Sequence, residues 1–290
     1  MDDARRKRGA TGAARGDERK RMLQYTHVRT AVIVATYEQP RWLDLALRAW
    51  ARQELRPSCV IVADDGSGPE TADVVRRCGA QHVRREREQG RFGKCAAVNA
   101  AVRRARELAC DFALFTDGDC LPSAGLLARH RDVARPGRFA AGGVVRLSRE
   151  ASAALTGEQV DAGAFERARG GDKRRYALPR AIGRLVELAS PRRTPWKGGN
   201  SSAFLSDVLR VNGYDERFGW GSEDKEMGER LENAGVQGYS IRYTAPVFHL
   251  WHDRPYVDST VIARNRALLA ETRRTHSTWT PSGIEQSRRG

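Results

Sequence analysis

The chain has 290 residues and carries 51 Lys/Arg against 36 Asp/Glu, a formal net charge of +15 at pH 7. That length buries a full core in one large domain or two small ones. No apolar run of about 18 residues occurs, which excludes a transmembrane helix, and the charged N-terminus does not read as a secretory signal. The cysteines Cys59, Cys78, Cys95, Cys110 and Cys120 include no C-x-x-C pair, so neither a zinc site nor a disulfide framework is suggested and a reducing cytoplasm is expected. The charge favours a polyanionic partner, whether nucleic acid, an anionic membrane surface or a phosphorylated substrate, without choosing among them.

Residues 1–27 are rich in Arg, Lys, Gly and Ala without apolar periodicity and read as a disordered basic tail. "TAVIVATYE" (30–38) is a β-branched run expected to form a buried strand, and Pro40 suits the first turn of a helix. Leu43, Ala46, Leu47 and Trp50 follow at i, i+3, i+4 and i+7, the apolar face of that helix. "CVIVADDGSG" (59–68) is a second apolar strand ending in acids and glycine. "TADVVRRCG" reads as a short helix, "QHVRR" as a short strand and "GKCAAVNAAVRRAREL" (93–108) as an Ala-rich helix. "FALFTDGDC" (112–120) is a third apolar strand, stopped by Asp117-Gly118-Asp119.

Alternating strands and helices predict βαβ units on a largely parallel sheet. Such sheets bind ligands outside the carboxyl ends of their strands. Ala35-Thr36-Tyr37, Asp64-Asp65-Gly66 and Asp117-Gly118-Asp119 stand at three such ends and should line one crevice. Carboxylates at i and i+2 can turn the same way on an extended chain, and hard divalent cations take oxygen ligands shared with a substrate's phosphates. Asp117 and Asp119 therefore read as a cation clip as well as a turn.

"FAAGGVVRLS" (139–148) reads as a further strand. Residues 164–197 then carry ten Lys/Arg against three acids. Within them "PRAIGRLVELA" (179–189) is apolar on one side and basic on the other. It suits an anionic membrane surface or, equally, a solvated helix packed on the protein. Gly198 and Gly199 allow close backbone approach. Ser222 is placed to cap a helix starting near Glu223-Asp224, and the aromatic, Gly-rich loop around Trp220 suits a sugar. His249 and His252 lie three apart after an apolar strand, and either could add a ligand to an acidic cation site.

Five of these stretches, in this order, resemble the family 2 glycosyltransferases. "VIVATYEQPRWLDLALRAWARQ" is similar to the family's opening strand and helix, with Tyr37-Glu38 in place of the usual Tyr-Asn. "VIVADDGSG" is similar to its nucleotide-binding turn and "FTDGDC" to its D-x-D motif. "GYDERFGWGSEDKEMGERL" resembles the galactosyltransferase-type C-terminal motif, in which an acid acts as base, and "FHLWH" the histidine segment that completes the metal shell.

The resemblance implies a GT-A fold: α/β, Rossmann-like, with a mixed, mainly parallel central sheet flanked by helices. It implies one domain over 28–270, with a nucleotide-sugar half (28–135), an acceptor and catalytic half (136–270), and a polar tail over 271–290. Asp119 would hold Mn²⁺ or Mg²⁺, with Asp117 on the ribose or the metal's water shell. His249 is the first choice for the added ligand and His252 the second. Asp65 would hydrogen-bond the base, with Ala35, Thr36 and Tyr37 around it, Asp64 supporting and Lys94 near the base or phosphates. Gly198, Gly199 and Asn200 would lie against the donor sugar, with Trp220 at the sugar or acceptor. Asp224 would be the base and Glu223 would orient the acceptor. With one base and no covalent nucleophile, the anomeric centre inverts. Glu38 would pair with an Arg or mark an altered donor site.

The expected partners are a nucleotide-sugar donor, a UDP-sugar first, and a glycan or glycolipid acceptor such as a lipopolysaccharide core or surface polysaccharide. A small natural product is the alternative acceptor. The expected location is cytoplasmic, with peripheral contact at the inner face of the plasma membrane. A nucleotidyltransferase would carry a Gly-rich phosphate loop where Ala35 to Pro40 stand. No zinc pattern, RNP-like sequence or helix-turn-helix supports nucleic-acid binding.

Overall fold

The structure, a computed structural model, describes residues 27–86, 92–167, 172–253 and 258–285. The expected N-terminal tail, apart from His27, lies outside the described residues, as do Arg169 and the Pro255-Tyr256 pair.

The strands are β1 (Thr30–Thr36), β2 (Cys59–Asp64), β3 (Gln81–Arg84), β4 (Phe112–Asp117), β5 (Cys120–Pro122), β6 (Arg138–Arg146), β7 (Ser201–Phe204) and β8 (Gln237–His249). They form one sheet in the order β3-β2-β1-β4-β7-β6-β8-β5. Pairing is parallel from β3 through β4 and between β6 and β8, and antiparallel where β7 and β5 join. The mixed, mainly parallel sheet expected above is the one observed. β7 lies between β4 and β6, so both halves of the chain share it.

β1 shows how the sequence builds the layers. Side chains alternate across a strand, and both faces here are covered. Ala31, Ile33 and Ala35 pack with the Ala/Val face of α3 (Lys94–Glu107). Val32 and Val34 pack with Leu43, Leu47 and Trp50 of α1 (Pro40–Ala51) and with Val74 and Val75 of α2 (Pro69–Arg77). The remaining helices are α4 (Leu126–Val133), the short α5 (Arg149–Ala154) and α6 (Gly157–Asp161), α7 (Arg180–Ala189), α8 (Leu205–Arg210), α9 (Glu223–Asn233) and α10 (Ser259–Thr275).

Of the expected polar tail, residues 271–285 pack as part of the domain instead, and 286–290 lie outside the described residues. α10 runs through Thr275, Thr280 and Ile284 are buried, and Ile284 joins the main core. The Asn212 amide, itself buried, donates to the carbonyls of Thr280 (2.7 Å) and Glu285 (2.8 Å). Asn212 gives its segment-to-segment bonds to backbone, so composition could not reveal them.

Candidate active site

Strand register sets the site. Thr36 lies opposite Asp64 and Ala35 opposite Asp117, so three strands end level with one another. At that edge a cavity of about 390 Å³ opens, within the size range of small-molecule sites. Ala35, Thr36, Tyr37, Asp65, Lys94, Asp117, Asp119, Trp220, Glu223, Asp224, His249 and His252 all line it. Twelve residues named from the sequence thus meet in one pocket.

At one end stands Asp119. The antiparallel pairing of β5 with β8 sets Cys120 opposite His249, and the Leu250 N–H donates to the Asp119 carbonyl at 2.8 Å. His252 Nε2 is 3.0 Å from Asp119 Oδ2, and His249 Nε2 is 3.7 Å from Oδ1. The imidazoles stack 5.3 Å apart. Burial works against the Asp119 charge, but His249 and His252 outweigh it and hold the carboxyl well below the usual range. Ligand atoms of Asp119, Cys120 and His249 fall within 4.8 Å of one another. Cys120 was not among the expected site residues. Its only sequence signal is adjacency to the D-x-D stretch.

At the other end, Lys94 opens α3 and Glu223-Asp224 opens α9. Lys94 Nζ lies 2.6 Å from Asp117 Oδ1. Burial opposes its charge, yet Asp117, Asp224 and Glu223 hold the ammonium well above the ordinary lysine value. A helix N-terminus favours the two acids by its dipole. Burial still dominates: with the Asp224 charge beside it, Glu223 is pushed up to about 7, and Asp224 is raised as well. The Gly198 N–H and the Tyr214 hydroxyl (3.3 Å) donate to Asp224, and Trp196 Nε1 donates to Tyr214 at 2.7 Å. Tyr214 and Trp196 escaped the sequence reading because aromatic residues in a core-forming segment look alike whether or not they position an acid.

Several expectations are revised. Asn200 does not face a sugar: it is fully buried, donates to the Gly143 and Ala245 carbonyls (2.9 Å each) and accepts from His130 Nε2 (2.9 Å). Gly198 and Gly199 lie behind the acids. A Cβ on Gly198 would overlap the Asp224 carboxylate, and one on Gly199 would come 3.0 Å from Asp117 Oδ2. Asp65 lines the pocket, but its oxygens accept from Arg85 Nη1 and the Gly93 N–H (2.8 Å each). Asp64 supports the turn from beneath, accepting from the Ser67 N–H (2.8 Å) and hydroxyl (2.6 Å), with His82 Nε2 at 2.8 Å.

Glu38 pairs with no Arg among the described residues. It sits at φ 50° and accepts from the Gly68 N–H (2.9 Å), tying the β1 loop to the start of α2. Ser222 makes no capping bond and adopts φ 74°. Instead, fully buried Asn265 on α10 donates to the carbonyls of Trp220 (3.2 Å) and Gly221 (2.7 Å) and so fixes the loop. Asn265 was not foreseen, because it acts on backbone 45 residues away.

The family model described as "Glycosyltransferase like family 2" matches residues 27–280. Solved structures share the fold. A mannosyltransferase from Pyrobaculum calidifontis, PcManGT, in complex with GDP-Man and Mn²⁺, aligns with TM-score 0.53 and 20% identity over 82% of this chain and 64% of its own. TarS of S. aureus aligns with TM-score 0.56 and 15% identity over 84% of this chain and 39% of its own. GalNAc-T7 with UDP, GalNAc and Mn²⁺ aligns with TM-score 0.57 and 13% identity over 84% of this chain and 48% of its own. The chain therefore spans less than two thirds of these relatives. No curated protein matches it significantly.

Proposed function

Because the chain belongs to the glycosyltransferase-like family 2, we propose that it is a metal-dependent inverting glycosyltransferase. It moves a sugar from a nucleotide-sugar donor, a UDP-sugar first, to a hydroxyl of a glycan acceptor such as a lipopolysaccharide core or surface polysaccharide. One observation carries this reading: a single cavity holds Asp119, kept ionised, beside His249 and His252 at one end and two carboxyls of raised pKa, Glu223 and Asp224, at the other.

The donor set of Asp119, His249 and His252 fits a divalent cation. Mg²⁺ takes oxygen ligands almost alone, so the imidazoles favour Mn²⁺. The mannosyltransferase and GalNAc-T7 structures both contain Mn²⁺. When bound, the ion supplies positive charge against a departing diphosphate. Thr36 Oγ1, buried at the pocket wall, has no hydrogen-bond partner among the described residues and is available to a donor's polar edge. Tyr37 and Phe92 give flat surfaces for a base.

Asp224 takes the proton of the attacking hydroxyl. Tyr214 and the Gly198 N–H hold that carboxylate in place, and its raised pKa brings it closer to working pH as a base. Glu223 lies beside it to orient the acceptor. With one base and the leaving group on the opposite side of the anomeric carbon, a single displacement inverts configuration. Trp220 offers an apolar face to a sugar ring at the pocket mouth.

Calorimetry with UDP-, GDP- and dTDP-sugars, with and without Mn²⁺, tests the reading on wild type and Asp119→Ala. Manganese-dependent binding of one nucleotide class, lost in the variant, is the expected result. Binding of none of them, with or without metal, overturns it.

A further inference from the structure

α7 is built inside out. Its buried positions are Gly183 and Glu187, while Ile182, Leu185 and Leu188 are 49%, 67% and 69% exposed and Ala181 and Ala189 are exposed beside them. Three of the six large apolar side chains exposed among the described residues lie on this one helix. At 100° per residue they form a single outward arc.

The cause lies in β8. Its pairing with β6 slips between Gly142 and Gly143, where β8 passes from Ile241 to Pro246 through unpaired residues. The bulge leaves the Tyr243 N–H without a ladder partner and presents it together with the Thr244 hydroxyl. Glu187 accepts from both, at 3.1 and 2.7 Å, and from Arg129 Nη2 at 2.9 Å. Gly183 lets the helix lie flat on the Tyr243 carbonyl, which an added Cβ would meet at 2.5 Å. The polar face is thus committed inward, and the apolar face has nowhere to go but out.

The rim of this face is cationic. Residues 172–193 hold seven Lys/Arg against Asp172 and Glu187, and Glu187 is turned inward. Arg175 lies over the Tyr176 ring, which packs on Tyr243 beneath the helix. Beyond its C-terminus, Arg192 lies over Tyr239 and Arg242 donates to the Pro191 carbonyl. Three rim cations are answered by acids, Arg180 by Glu54, Arg184 by Asp132 and Arg193 by Glu232.

We propose that α7 docks the protein on an anionic lipid surface, with Ile182, Leu185 and Leu188 inserted among the acyl chains and the flanking arginines on the headgroups. The proposal does not depend on the glycosyltransferase reading. No helix among the described residues is long and apolar enough to cross a membrane, so the contact is peripheral. A second copy of the chain would set like charge against like charge in a twofold contact. The chain's own N-terminal segment is also basic, with eight Lys/Arg against four acids in residues 1–27, so charge does not draw it here. Anionic lipid satisfies both the apolar arc and its cationic rim.

Flotation of the full chain with vesicles tests this. The wild type should float with vesicles of equal parts phosphatidylglycerol and phosphatidylcholine, and not with phosphatidylcholine alone. Leu185→Glu/Leu188→Glu should weaken binding by about tenfold or more. Its thermal melt should match the wild type, because both positions are exposed. Arg175→Glu/Arg192→Glu should weaken it too. Equal flotation of the leucine variant would place the affinity in general charge or the N-terminal segment and overturn the proposal. So would failure of the wild type to float, or a concentration-dependent dimer, seen by sedimentation velocity, that Leu185→Glu dissolves.

Discussion

Glu223→Gln should stabilise the protein, and by an amount that depends on pH. The Glu223 carboxyl is 7% exposed, and its pKa rises from 4.5 to about 7 on folding, through burial and the neighbouring Asp224. Below pH 4.5 the group is protonated both folded and unfolded, and the folded state loses nothing. Between 4.5 and 7 the unfolded chain releases the proton while the folded chain keeps it, so stability falls as pH rises. Above about 7 the full cost is in place. At 1.36 kcal/mol per pH unit, the span amounts to about 3 kcal/mol. Glutamine cannot ionise, so the variant is spared that loss. Variant and wild type should unfold alike near pH 4.5 and differ by about 3 kcal/mol at pH 8, or roughly 6–10 °C in Tm for a domain of this size. Thermal and urea unfolding in chelator, from pH 4.5 to 8.5, measures the difference. Parallel curves, or a variant less stable at pH 8, would refute the reasoning.

Removing the cation of the same cluster should act in the opposite sense. Lys94→Met leaves Asp117, Glu223 and Asp224 facing one another, and should lower stability by about 3 kcal/mol at pH 8 and by less at pH 5, as urea unfolding at both pH values would report. Gly198→Ala forces a methyl against the Asp224 carboxylate, so turnover should fall by about 100-fold while calorimetry still finds donor bound. Asn200→Ala removes bonds to two buried carbonyls and to His130 and should cost about 3 kcal/mol in thermal unfolding. Burial pushes His130 down to about 4, so that cost should not change between pH 6 and 8. Donor affinity of the folded fraction should be unchanged.

The crevice formed by β1, β2 and β4 was legible because its information is local. Short apolar runs, each ended by Asp or Thr and buried on both faces, locate the crevice without any tertiary knowledge. Parallel register then sets Thr36 opposite Asp64 and Ala35 opposite Asp117. What could not be read depends on contacts remote in sequence. Asn200 follows two glycines and looks like a loop residue, but its partner His130 is 70 residues away on α4. Residues 271–285 look like a tail until Asn212 claims their carbonyls. β5 is three residues long, too short for any periodicity, yet it sets Cys120 opposite His249. In α7 the periodicity was plain but its direction was not. An apolar stripe normally marks the inside, and only the slip in β8 shows that the polar side is the one that binds.

The pocket's two ends follow one rule with opposite outcomes. Asp119 and Glu223 are both buried carboxyls, and burial alone would raise both. Two imidazoles beside Asp119 reverse the effect, so that carboxyl stays ionised and can bind a cation. A second carboxyl beside Glu223 adds to the effect, so the pair holds a proton into the neutral range, as its proposed role toward an acceptor requires. Lys94, at the second end, restrains the repulsion of Asp117, Glu223 and Asp224 without abolishing it. Paired groups whose surroundings drive their pKa values apart divide the labour of acid–base chemistry. Here the division runs along one cavity, from the β5–β8 edge to the head of α9, and the proposed glycosyl transfer would place the anomeric carbon between the two ends.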